Sequence, residues 1–210
     1  SKHLMQYYTT RLLLIGTLLL ASNQLSLAQD FASTPWTLDD EQWENATDLW
    51  EHEKYSNALF GYEEWLAEQT DLDGTRCAIA QYRIAFCAIQ LQQNDATKRV
   101  EAFLTQFPEN PLGQKIQWEL ANYLYRKRDW KDAIEVYNGL NTLRMKPAEK
   151  LEQKFKRGHA HFELEDYDEA RLDLFAVMEG GEDSGEYQLP AKYYFSHISY
   201  LKGQPQVALE

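Results

Sequence analysis

Asp129–Tyr137, DWKDAIEVY, returns 37 residues later as Asp166–Leu174, DYDEARLDL. Both stretches open on Asp and an aromatic ring, place Ala fifth, and continue with apolar residues at helical spacing. Aligning the chain on that Ala finds three more copies of the position. Ala58 ends KYSNA, Ala96 ends QQNDA and Ala208 ends GQPQVA, so Ala58, Ala96, Ala133, Ala170 and Ala208 follow at steps of 38, 37, 37 and 38. Twelve residues before each stand Ala46, Ile84, Ala121, Gly158 and Ser196. Four of the five are small, and in the exception Ala85 adjoins the slot.

Small residues twelve apart predict two helices crossing closely on either side of a short turn. A side chain larger than Ala or Ser at such a crossing would force the axes apart. Turn-forming residues lie in the expected places: KRDW, LEDY and KGQP within units, FPEN and EGGEDSG between them. No strand-like alternation of useful length competes. The expected fold class is all-α, an array of helical hairpins in which each packs on its neighbours.

The pattern resembles the tetratricopeptide repeat (TPR) family, whose 34-residue unit carries small residues at its eighth and twentieth places. The likeness is strongest in WELANYLYRKRDWKDAIEVY (118–137) and FKRGHAHFELEDYDEARLDLF (155–175). It is weaker in WENATDLWEHEKYSNALFGY (43–62) and YYFSHISYLKGQPQVALE (193–210). The resemblance implies a right-handed α-α superhelix with units at 39–73, 74–110, 111–147, 148–185 and a partial fifth at 186–210. The units here are three to four residues longer than the family's, which longer loops between hairpins would absorb. Arg83 and Arg157 stand where the family carries an apolar residue. Val207 and Leu209 would have no downstream partner, so further TPR units beyond Glu210, or a docked partner, are expected.

Residues 1–28 read as a signal peptide. Lys2 and Arg11 precede an apolar run, Leu12–Ala21, and Ser26 and Ala28 occupy the small-residue positions of a cleavage site. The run is shorter than the roughly 18 residues of a spanning helix, which disfavours an uncleaved anchor. Residues 29–38 would then be a linker, and the chain is expected in the periplasm or on the periplasmic face of the outer membrane, with peripheral membrane association possible. The only cysteines, Cys77 and Cys87, would lie about 15 Å apart along one helix, too far for a disulfide. Buried thiols are expected instead.

The chain's net charge is −12, and the segment Asp39–Asp73 holds twelve acids against the single base Lys54. Phosphate binding needs a coherent basic surface, so no nucleic acid partner is expected. Nor does any motif point to catalysis, a cofactor or a metal. His159 and His161 are two residues apart and point to different sides of a helix, whereas metal ligands on one helix favour a spacing of four. Gly180–Gly185, GGEDSG, is glycine-rich but acidic, the wrong charge to cradle phosphate.

The first helix of each unit carries a more informative stripe. Its fifth place reads Trp43, Gln81, Trp118, Phe155, Tyr193; its ninth Thr47, Ala85, Asn122, His159, His197; its twelfth Trp50, Ala88, Tyr125, Phe162, Tyr200. Offsets of four and three place these on one helical face. In TPR proteins that face lines a concave groove for extended peptides or helices, which makes Trp118, Asn122, Tyr125, Phe155, His159, Phe162, Tyr193, His197 and Tyr200 the candidate partner-binding residues. Aromatic rings at helical spacing also serve as core, so the polar Asn122, His159 and His197 are the sharper candidates.

The resemblance extends to exported TPR proteins of the bacterial cell envelope, of the kind typical of Bacteroidota. It implies a non-catalytic scaffold for other cell-envelope proteins. Glycan binding in an outer-membrane uptake system is the alternative, with Trp and Tyr rings stacking on sugars. A helical hydrolase with two carboxylates in a cleft is a third reading.

Overall fold

The computed structural model describes residues 38–204. The expected signal peptide at 1–28, nearly all of the linker at 29–38, and Val207, Ala208 and Leu209 lie outside these residues. The unit Gln42–Glu210 builds the solenoid. Of the unit before it, Ser1–Glu41, only the first turn of one helix is described.

The described residues are all-α, without a strand. Four helical hairpins follow one another: α1 (Leu38–Glu51) with α2 (Tyr55–Ala67), α3 (Thr75–Gln90) with α4 (Ala96–Gln106), α5 (Leu112–Lys127) with α6 (Trp130–Gly139), and α7 (Pro147–Glu163) with α8 (Tyr167–Met178). The first helix of a fifth, α9 (Gln188–Leu201), follows. Short 3-10 segments, Thr142–Arg144 and Gly181–Tyr187, occupy two of the connections between hairpins. This is the α-α superhelix class. No helix among the described residues is long and apolar enough to cross a membrane.

Local chemistry sets the helix ends. α1 opens on Asp39, Asp40 and Glu41, and α5 closes on Arg126 and Lys127, each sign facing the complementary end of the helix dipole. α7 starts with Pro147 at its first position, and the Glu149 carboxylate accepts the Lys146 backbone N–H at 2.8 Å.

The turn inside each hairpin has one recurring construction. Glu53, Gln92, Arg128, Glu165 and Gly203 all adopt positive φ, between 54° and 72°. Each donates its backbone N–H three residues back, and the next residue donates five residues back, as in Arg128 to Tyr125 and Asp129 to Leu124. That is the Schellman motif, which satisfies orphan carbonyls at the end of a helix. It occurs five times, five residues before the repeat Ala in four units and four before it at Gln92.

The crossings carry the small residues. Ala46, Ala58, Ala85, Ala96, Ala121, Ala133 and Ala170 are all buried. A Cβ at Gly158 would stand 3.0 Å from the Asp173 Cβ and 3.3 Å from the Ala170 carbonyl oxygen, so α7 and α8 meet closely there and even a methyl group would be tight. The two arginines that replace apolar residues tie elements together. Arg83 donates to Thr47 and Tyr62 on the preceding hairpin and lies 4.6 Å over the Trp50 ring. Arg157 pairs through Nε and Nη2 with the buried Asp173 carboxylate, at 2.6 and 2.7 Å, and reaches back to Asn138 at 2.8 Å.

Buried apolar residues form two clusters rather than one. The first runs from Trp43 to Met145 and fills the first three hairpins. The second runs from Phe155 to Ile198 and fills the fourth hairpin and α9. Between them the joint is made largely by polar groups. Gln153 donates to the Tyr137 carbonyl at 2.5 Å, Lys156 to Asn122 at 2.7 Å, and Tyr125 bonds His159 at 2.9 Å. Cys77 and Cys87 are both buried and not bonded to each other, and burial pushes the Cys87 thiol up to about 12, which keeps it unreactive.

Candidate partner-binding wall

The wall is built from the first helices α5, α7 and α9, with one contribution from a second helix. His159, midway along α7, is its centre. Its ring stacks on Phe155 at 6.2 Å and 18°, and meets Tyr125, Trp130 and Tyr194 at 5.7, 5.6 and 4.7 Å. Phe162, one turn on, contacts Tyr194 at 5.0 Å and His197 at 5.5 Å, and Tyr193 meets His197 at 6.1 Å. Aromatic edges and faces of this kind add roughly 0.5–1.5 kcal/mol per pair beyond burial, so the wall is a stiff surface.

Protonation follows from burial. Desolvation raises the Tyr125 phenol to about 12, so it keeps its proton, and its hydroxyl is hydrogen-bonded to the His159 Nδ1 at 2.9 Å. The other nitrogen, Nε2, faces the Glu163 carboxylate at 3.5 Å. Burial pulls His159 below its ordinary value of 6.5, opposed by Glu163 and assisted by Arg128. At neutral pH the ring is uncharged.

Trp118 and Asn122 form a second group one hairpin earlier. The Asn122 side chain is 8% exposed, and its carbonyl accepts from the Tyr137 hydroxyl at 2.9 Å and from Lys156. Thr47 and Tyr62 make the same bond in the first hairpin, at 3.0 Å. Asn122 therefore fastens α5 to α6 and α7 and has little surface left to offer. Trp118 is half-buried, with its ring 6.2 Å from Tyr137 and the Lys156 ammonium 5.7 Å above it.

The nine candidates thus divide by exposure. Phe155 and Asn122 are buried; Trp118, Tyr125, His159 and Phe162 are half-buried; Tyr193, His197 and Tyr200 are exposed, Tyr193 and Tyr200 by 63% and 69%. His159 is turned into the ring cluster. His161, half-buried, has its Nδ1 3.6 Å from Asp166. Among the described residues no group of three or more His, Cys, Asp or Glu is arranged to hold a metal ion.

Sequence reasoning overlooked the sixth place of the repeat. Tyr82, Glu119, Lys156 and Tyr194 occupy it in successive units, and each lines or supports the wall. Their regular recurrence every 37 or 38 residues was the available signal. Trp130 was missed because it comes from a second helix, where a one-helix stripe does not reach.

Tyr82, Trp118 and Glu119 also line an open cleft of about 540 Å³, with Leu140 and Met145 among its apolar residues and Glu152 contributed by α7.

No protein-family model and no curated protein matches the sequence. The fold does have counterparts among solved structures. MamA from Desulfovibrio magneticus RS-1, residues 41 to the end, is similar at a TM-score of 0.61 and 12% identity, over 82% of this chain and 90% of that one. A putative kinesin light chain from Podospora anserina, with nearly identical TPR-like repeats, aligns at 0.57 and 16% identity, over 80% of this chain and 88% of the other. The chain therefore has a TPR-like helical-repeat fold.

Proposed function

We propose that this chain is a non-catalytic scaffold that binds a segment of another protein along the face of its first helices. The observation that carries the reading is the ring wall through Phe155, His159 and Phe162, stiff in its middle and ending in the exposed Tyr193, His197 and Tyr200. Rigid rings beside a few polar atoms are what an interface anchor requires, because they bury large apolar area with little ordering cost.

We further propose that the partners are proteins of the bacterial cell envelope. This rests on residues 1–28, which have the charge, apolar run and small residues of an export signal. A photo-crosslinking amino acid at Tyr193 or Tyr200, in intact cells, should yield discrete adducts that the same group at Lys98 on α4 does not. Adducts of equal yield from all three positions would overturn wall binding. Cell fractionation that leaves the chain in the cytoplasm, with residues 1–28 attached, would overturn the envelope assignment alone.

A further inference from the structure

We propose that the cleft between α3, α5 and α7 takes the cationic side chain of a lysine or arginine carried by the partner segment, with Glu119 as its counter-ion. This deepens the reading of the first-helix face as the binding face and rests on it.

Glu119 is half-buried, and its side chain makes no ion pair or hydrogen bond to another described residue. Its neighbours are committed otherwise: Glu152 holds Lys156 at 2.6 Å, and Glu149 caps α7. Burial holds the Glu119 carboxyl above its ordinary range; Arg126 and Lys156 pull the other way without overcoming it. A carboxylate partly withdrawn from water with no cation in contact carries a desolvation cost that a cation would offset.

The rest of the cleft matches the shape of such a visitor. Lysine and arginine carry an apolar stem behind a charged head. Trp118, Leu140 and Met145 supply the surface for the stem, and Tyr82 lines the cleft beside them. Lys115 and Arg144 also line the cleft, but both are exposed, so solvent and salt weaken their repulsion more than the attraction of the half-buried Glu119. The net charge of −12 draws basic segments from a distance. An acidic side chain in the same place would meet an uncompensated carboxylate.

Random peptides displayed on phage would be selected on the full chain, and the selected sequences synthesised and titrated by fluorescence anisotropy. The expected result is a shared lysine or arginine. Changing it to glutamine in the peptide weakens binding about tenfold. Glu119→Gln in the protein weakens the parent peptide about equally, while the glutamine peptide binds both proteins within about twofold. Thermal melts should show Glu119→Gln folded, with a midpoint unchanged or higher. Peptides that lose binding on Trp118→Ala or Tyr200→Ala, yet share no basic residue or ignore Glu119→Gln, would overturn this inference and leave the wall reading standing. A selection that returns no binding peptide would count against both.

Discussion

At the scale of single residues, the turns show how a repeat can be built without its expected letter. The left-handed position that ends each first helix favours glycine, because a Cβ there crowds the backbone. Only Gly203 obliges, while Glu53, Gln92, Arg128 and Glu165 hold the same conformation with side chains. Glu165→Gly should therefore raise stability by up to about 1 kcal/mol, read as a shift in denaturation midpoint. His159 supplies the second expectation. Its folded pKa lies below 6.5 because burial disfavours the imidazolium. The unfolded chain thus binds the proton more readily, so stability present above the unfolded pKa is lost as pH falls from about 6.5 through the lower folded pKa. Melting temperatures followed from pH 8 to pH 5 should show a loss that His159→Gln removes.

At the scale of helices, the spacing of small residues was legible because close crossings exclude large side chains regardless of context. Gly158 is the sharpest case, where a Cβ would already press on Asp173 and Leu174 at 3.0 and 3.1 Å. Gly158→Leu should cost about 1–3 kcal/mol as overpacking, measured by urea denaturation. An unchanged midpoint would show that α7 and α8 do not depend on their close approach. The candidate wall was legible only in part. Residues five, nine and twelve lie on one helix and can be found by counting, but Trp130 reaches the wall from α6, and Asn122 is spent on Tyr137 of α6 and Lys156 of α7. Such partners sit 15 or 34 residues away and follow no period of a single helix. The turns were half-legible for the same kind of reason: Asp129 and Asp166 mark them, yet the residues at positive φ immediately before, Arg128 and Glu165, announce nothing.

At the scale of the whole array, two apolar clusters joined largely by polar contacts bear on cooperativity. Repeat arrays gain stability from each unit and each interface between neighbours. The cluster filling the first three hairpins is larger than the one filling the fourth hairpin and α9. Native-state hydrogen exchange should find amides in 147–201 opening at lower free energy than those in α3 and α5. A single opening energy for both would show that the polar joint couples them fully. Substitution of Asn122 by Ala should widen the gap between the two regions, since it leaves the buried Tyr137 hydroxyl unsatisfied, and Gln153→Ala should do so by removing a buried hydrogen bond across the joint.

Leu143 is 89% exposed on the short 3-10 segment that ends at Arg144, beside that joint. A protease that cleaves after arginine would find an accessible bond where severing the chain breaks neither oily interior in half. Brief trypsin digestion should accordingly yield two persistent fragments that travel together under native conditions and part in urea, the seam behaving as a subunit contact would.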